Sequence, residues 1–566
     1  MAHAAAEHHA ATFTPKQKKL ALLIVAFAFV MDLLDSTIVN IAIPSIQGNL
    51  GASYAAIQWL IAGYSLTFAL LLITGGRMGD VFGYKKIFMF GVTGFTLASL
   101  LAGIAPNIEF LVGARLFQGS MAALMVPQVM SLMQVMFKPK ERAGVMGLFG
   151  MLGGLSAALG PIVGGLLIEW NLFGWDWRPI FLINLPVGVF ALIAGWKFLP
   201  SGRSVHPLHL DIKGTLLIVV ALSLLIFPLI EGRELDWPIW TIAMLAAAIP
   251  ALLLFGWYEV RKDRADKSAL IVPSLFKVRT FSTGLLLNII VQSVMIGYFL
   301  TITLVMQVGL GYDVLKAALT GVPTAVGMTI GFAVLGQKLI AKFGRSVIGI
   351  GAALYGASLL YVVWAVTNFG LDTTPWHLLP GLLVLGVGMS LIMIPIFSAA
   401  LQDVDAGHAG SASGILNAVQ QVGAAIGVAV IGVIFFGQLS NGAVKSFDDV
   451  TPQIRQDLTA LHIPAQAQDQ IVQGSRACYD DRSKQKDATE TPASCKQLES
   501  GSSASNATGQ KVGDVITNAV KKANANNFAT AFRWAIVYVF GLLVVICTLS
   551  LLLPKKFKLG NAPEHV

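Results

Sequence analysis

The stretch LALLIVAFAFVMDLLDSTIVNIAIPSI, from Leu20 to Ile46, decides the fold. Its apolar residues run on without the alternation of a half-buried strand, and it exceeds the roughly 20 residues that a helix needs to cross a hydrocarbon core of about 30 Å. No small-residue cleavage site stands behind it, and it carries two acids, Asp32 and Asp35. It therefore reads as a retained membrane span rather than a signal peptide.

Working outward, further runs of spanning length begin near Ala55, Ile87, Ile108, Ala143, Ile180, Ile212, Ile239, Phe281, Ala317, Val347, Leu378, Ala409 and Phe528, making fourteen expected spans. The composition agrees: 55% of the 566 residues are hydrophobic and 12% charged, with a mean hydropathy of +0.72. That is about half the charge of an ordinary soluble domain, which excludes a water-soluble enzyme. Many runs exclude a single anchor, and their continuity excludes a β-barrel. The 57 glycines and 23 prolines recur inside the runs, as lipid permits where helices pack closely. The fold class is an all-α polytopic membrane protein.

A net charge of +9 would suit a nucleic-acid partner, but the basic residues form short clusters between runs, such as Lys16, Lys18 and Lys19 or Arg77, Lys85 and Lys86. Such clusters orient spans. The opposite short loops hold only Arg178, Arg233 and Lys316. Both tails, 1–19 and 555–566, are thus expected to be cytoplasmic, and residues 438–526 extracytoplasmic, in a plasma (inner) membrane. No nucleic-acid partner is expected. His3, His8 and His9 read as part of an unstructured tail rather than a metal site.

Residues 438–526 are polar and break the pattern. Cys478 and Cys495 lie there, and a disulfide between them suits an oxidising compartment, two free thiols being the alternative. Ile454, Leu458 and Leu461 after Thr451-Pro452, and the series Val512, Ile516 and Val520, predict helices. Their stripes fit either the protein's own outer surface, which we favour, or an extracytoplasmic adaptor. Asn506-Ala507-Thr508 matches a glycosylation sequon.

Ionisable groups at bilayer depth are costly and therefore informative. They are nearly confined to Asp32 and Asp35 in the first run and Arg115 in the fourth. Asp32 and Asp35 are three residues apart and share a helix face. An acid that gains or loses a buried base can bind and release a proton, so Asp35, Asp32 and Arg115 are the candidates for proton coupling, a permanent packing pair being the alternative.

These residues resemble the major facilitator superfamily, specifically its fourteen-span drug:proton antiporters. LDSTIVNIAIPSI (Leu34 to Ile46) is similar to that family's first-span signature, which implies a proton-coupling role for Asp35. GRMGDVFGYKK (Gly76 to Lys86) resembles the superfamily's cytoplasmic gate loop, with Gly76, Gly79, Asp80, Gly83, Lys85 and Lys86 in place and Val81 where a base is usual. RLFQG (Arg115 to Gly119) resembles the fourth-span motif, and SAALGPIVGG (Ser156 to Gly165) the antiporter motif, through Gly160, Pro161, Gly164 and Gly165. WRPIFLINLP (Trp177 to Pro186) is similar to the entrance of the sixth span. LIAKFGR (Leu339 to Arg345) weakly echoes the gate loop, with Ala341 where the acid stands.

The resemblance implies two six-helix bundles plus two inserted helices: a first bundle over 20–200, an inserted pair with linkers over 201–279, and five helices of a second bundle over 280–437. The outer segment follows at 438–526, then the last helix at 527–554. It also implies a proton-coupled antiporter that exports amphipathic, cationic or neutral, drugs or toxic compounds by alternating access. An exporter of lipid or another endogenous amphiphile, or a component working with an extracytoplasmic adaptor, is the alternative. Trp59, Tyr64, Gln118, Asn288, Gln292 and Tyr298 are candidates to line the cavity, because an amphipathic cargo needs aromatic surface and a few polar contacts. No cofactor beyond the coupling proton and no metal is expected. No nucleophile–base or metal-ligand cluster points to an enzyme, and His377 and His408 lack partners in the sequence.

Overall fold

The computed structural model describes residues 14–137, 139–202, 210–232, 235–266, 268–404, 409–484, 492–496 and 507–555. His3, His8 and His9, Arg233, His408, Asn506 and the carboxyl tail beyond Lys555 lie outside them. All regular secondary structure among the described residues is helical, with no strand.

Six helices make the first bundle: α1 Pro15–Leu50, α2 Tyr54–Phe82, α3 Tyr84–Gly103, α4 Ile108–Met136, α5 Pro139–Trp170 and α6 Asn184–Phe198, the last preceded by a short turn Pro179–Leu182. Local chemistry sets their ends. Thr14 caps α1 through a capping box with Gln17, and Gly51 closes the helix at φ 63°, a left-handed geometry that glycine adopts without penalty. Ser53 and Asn107 cap α2 and α4 by accepting the amides of Ala56 and Phe110. The inserted pair follows as α7 Ile212–Glu231 and α8 Ile239–Asp266. The second bundle contains α9 Arg279–Leu304, α10 Val314–Ile330, α11 Ser346–Phe369, α12 Pro375–Leu401, α13 Ala409–Asp448 and, after α14 Thr451–Ala460 and α15 Ala465–Lys484, the final α16 Ala507–Ser550.

Twelve of the described helices are long and apolar enough to cross a membrane, against the fourteen expected. The fifth and tenth expected runs meet that criterion only in part, as the shorter apolar stretches Leu159–Trp170 and Val314–Ile330. Beyond Ile330 the tenth run passes through a π-helical turn, Gly331–Leu335, before resuming at Gly336–Phe343.

The bundles meet along α2 against α13 and α5 against α10. Toward the end that carries residues 438–526, here the distal end, Tyr54 stacks on Phe436 at 4.1 Å and Gln307 donates to the carbonyl of Ile41 at 3.0 Å. The inserted pair sits to one side: α8 packs chiefly on α7 and leaves Ile249, Leu253 and Trp257 exposed.

At 1.5 Å per residue, the 40-residue α13 and 44-residue α16 are each about 60 Å long or more, roughly twice a hydrocarbon core. Their distal ends therefore stand clear of the bundle, and α14 and α15 pack between them. Phe447, Val450, Ile454, Leu458, Val472, Tyr479 and Ala523 form a separate apolar core there, with Val512, Ile516 and Val520 against it. Ile454 and Leu458 of the first predicted stripe and all three residues of the second thus face the protein itself, while Leu461 is half-buried outside that core. Arg476 holds Asp448 in a two-pronged pair at 2.6 and 3.0 Å, and the Asp448 carboxyl lies below its ordinary range for that reason. Cys478 and Cys495 form a disulfide.

Candidate functional site

Asp35 lies midway along α1 with 1% of its surface exposed, and Arg115 on α4 with 2%. The Arg115 Nη1 donates to Asp35 Oδ2 in a buried ion pair. The other carboxylate oxygen, Oδ1, accepts from Gln118 Nε2 at 2.9 Å and from Asn184 Nδ2 at 2.8 Å. Both amides also reach Ser99 Oγ on α3, at 2.9 and 3.2 Å. Arg115 Nη1 further donates to Gln118 Oε1 at 2.7 Å. One carboxylate thus gathers α1, α3, α4 and the first turn of α6, each donor filling a lone pair that lipid would leave empty.

Asp32 does not share the guanidinium as a direct partner. Its Oδ1 accepts the hydroxyl of Tyr64 at 2.5 Å, while the Tyr64 ring lies 4.2 Å from the Arg115 guanidinium carbon. Tyr64 therefore ties the second acid to the first pair through one ring, by a hydrogen bond on its tip and a cation–π contact on its face.

The candidate lining residues divide. Tyr64 and Gln118 belong to the carboxylate network. Trp59 donates from Nε1 to Glu231 of α7 at 2.8 Å and so fastens α2 to the inserted pair. Asn288 donates to the carbonyl of Leu416 at 3.4 Å between α9 and α13, and Gln292 is half-buried beside Gly423 in the same contact. Tyr298 is buried against Tyr355, and neither phenol finds a partner among the described residues.

The gate-loop residues occupy the proximal ends of α2 and α3. A side chain at Gly79 would strike Gln128, whose amide donates to Gly75 O at 2.8 Å. Gly83 turns at φ 102°, which makes room for Tyr84 N to donate to Gly202 O at 2.8 Å. Asp80 accepts from the Tyr84 hydroxyl at 2.9 Å, Lys85 donates to Trp196 O at 2.7 Å, Gly76 faces Pro127 and Lys86 is exposed. In the antiporter motif, Gly160 and Gly164 press on Thr37, Ile38 and Ile41 of α1, and Gly165 on Leu315 and Ala318 of α10. Pro161 lies between these contacts inside α5.

Asn184 and Ser99 were not among the sequence candidates. Asn184 is the lone amide in an otherwise apolar run from Ile180 to Trp196, a signal available without the structure. Ser99 follows Thr93 and Thr96 in its run and gives no comparable signal.

Geometry of this kind, a multi-span helical membrane protein with a charged pair sealed in one half, defines a class. The particular family follows from comparison: residues 25–428 match the model of the Major Facilitator Superfamily, and the chain belongs to that family of transporters. It is 39% identical over 536 residues to the probable actinorhodin transporter of Streptomyces coelicolor, covering 95% of this chain and 92% of that one. A match of that length takes in part of the outer segment. It is 34% identical over 428 residues to the tetracenomycin C resistance and export protein of Streptomyces glaucescens, covering 74% of this chain and 76% of that one. Among solved structures, a bacterial homolog of the human lysosomal transporter Spinster, inward-facing and occupied, aligns with a TM-score of 0.57 at 15% identity over 95% of this chain and 97% of that one. That likeness concerns the fold alone.

Proposed function

We propose that the protein is a proton-coupled antiporter exporting amphipathic, cationic or neutral, small compounds of the antibiotic kind by alternating access. The observation that carries this is the Asp35 carboxylate, sealed from water and held at both oxygens by donors from two other helices. A proton on Asp35 removes the charge that Arg115 neutralises, so the guanidinium must find another acceptor and the helices that share this network repack. A coupling ion does work only if the two protonation states bind cargo differently. Arg115 provides that difference, because its positive charge is masked when Asp35 is ionised and unmasked when it is protonated. Asp32, bonded to Tyr64 beside the same guanidinium, is the second acid able to take part. The relatives named for actinorhodin and tetracenomycin C support a small-molecule cargo.

The basic clusters support a topology with both termini in the cytoplasm and the distal helices outside, in a plasma membrane. The gate loop, with Gly76, Gly79, Asp80, Gly83, Lys85 and Lys86, then stands at the cytoplasmic face. Gly160, Pro161, Gly164 and Gly165 give the close approach of α1, α5 and α10 that shuts the outer side. The test is pH-gradient-driven counterflow of candidate compounds in proteoliposomes with wild type and D35N. D35N is expected to fold and to exchange substrate down its gradient, but to lose uphill transport by about a hundredfold or more, the scale of removing a charge-assisted buried pair. Uphill pumping by D35N at wild-type stoichiometry would refute the proposal.

A further inference from the structure

A second pair of buried acids lies where the inserted helices meet the proximal end of α2. Asp211 caps α7: its Oδ1 accepts Gly214 N at 2.9 Å and the Tyr258 hydroxyl at 2.8 Å. Glu259, on α8, accepts Ile271 N at Oε2, 2.8 Å away, and the amide of Leu270 faces the same carboxyl. Each residue is 3% exposed. The remaining oxygens, Asp211 Oδ2 and Glu259 Oε1, are buried with no hydrogen-bond partner among the described residues. They converge on one spot: the first carbon of any side chain at Gly214 would run into both.

Two ionised carboxylates placed this way would repel each other in a poorly hydrated site and leave two acceptors empty. One proton between them supplies the missing donor, fills both orphaned positions and leaves a single negative charge. We infer that Asp211 and Glu259 bind one proton between them, forming a protonation site on the inserted helix pair separate from Asp32 and Asp35.

Charged and titratable groups from two helices surround the pair. From α2 comes Arg77, with Asp80 beside it, and from α8 come Tyr258, Lys262 and Asp266. Arg77 donates to the carbonyls of Ser268 and Ala269, and Asp266 accepts the amide and hydroxyl of Ser268 at 3.0 and 2.6 Å. Thr74 and Thr215 join α2 to α7 at 2.9 Å. The linker from Ser268 to Ile271 is thus held at one end by Arg77, inside the gate-loop sequence, and at the other by Glu259. Adding or removing the shared proton changes the charge on the second of these anchors.

The experiment compares infrared spectra of full-length wild type, D211N, E259Q and the double variant in lipid at neutral pH. Either amide replaces the shared proton with an NH2 donor, so the remaining acid ionises. The carboxylic-acid C=O band of the pair should be lost to the same extent in D211N, E259Q and the double variant, and kept in D35N. An equal band in wild type and all three variants means that both acids are ionised and overturns the inference. A stepwise loss, with each single variant keeping half of what the double variant removes, means two protons and overturns it as well. Asparagine is a good helix cap, so D211N should fold. E259Q against wild type tests the loss of the band without D211N.

Discussion

Gly165 on α5 offers a direct measure of how tightly the two bundles close. A methyl group there would lie 3.1 Å from the Cβ of Ala318, 3.2 Å from the Cα of Leu315 and 3.4 Å from the carbonyl oxygen of Val314. Apolar carbons rest at about 3.5–4.0 Å, so G165A drives α5 and α10 apart by a few tenths of an ångström. Overpacking of this kind costs about 1–3 kcal/mol, and a single carbon belongs near the lower end. At 1.4 kcal/mol per factor of ten, the closed contact should lose roughly fivefold to tenfold in population. A318G removes the nearest of the three obstructing atoms and should return part of the loss, a coupling of about 0.5–1 kcal/mol in a double-mutant cycle. Spin labels at Trp170 and Leu319, both exposed, report the separation, and counterflow reports transport. If G165A/A318G behaves as the plain sum of its single variants, the two positions do not touch in the working protein and the reasoning fails.

R77Q should free the linker from α2. Losing charged donors to the carbonyls of Ser268 and Ala269 costs about 2 kcal/mol, read as a lower melting temperature and at least tenfold faster hydrogen exchange over 268–271; unchanged exchange would count against the docking described. C478S should leave transport intact while loosening α15, because the disulfide spans 17 residues and a loop of that size is worth about 3 kcal/mol locally; a loss of transport at full expression would contradict this. Asp448, held below its ordinary range by Arg476, stabilises the distal helices at pH values above roughly 3.9, and that contribution disappears as pH falls through the lowered value. Hydrogen exchange in α15 should therefore be flat from pH 7 to about 4 after correction for intrinsic rates, and a rise already near pH 6 would show that another group governs it.

Much of the architecture was legible because a membrane simplifies the code: a continuous apolar run admits few readings, and Asp32, Asp35 and Arg115 stand out against it. What the runs did not disclose is who meets whom. Gln118 and Tyr64 stood out as cavity candidates because an amide or a phenol inside a span suits cargo, and only helix packing shows that each also bonds a buried carboxylate. Trp59 stood out for its aromatic surface, but the partner of its indole nitrogen, Glu231, lies on a helix far away in sequence and was not legible. The α15 helix went unnoticed because it is polar: of its buried residues Gln468, Val472, Ser475 and Tyr479, two are polar and give no apolar stripe. Asp211 and Glu259 were passed over because they sit at the ends of runs, where an acid ordinarily meets water.

The length of α13 and α16 has a mechanical consequence. Both are continuous from the membrane into the distal apolar core, where they pack with α14 and α15. They form the two shafts of a single rigid lever. Any tilt of the second bundle would swing the far tip of that lever through a wider arc than any atom within the bilayer, so turnover becomes readable as displacement at its outermost point.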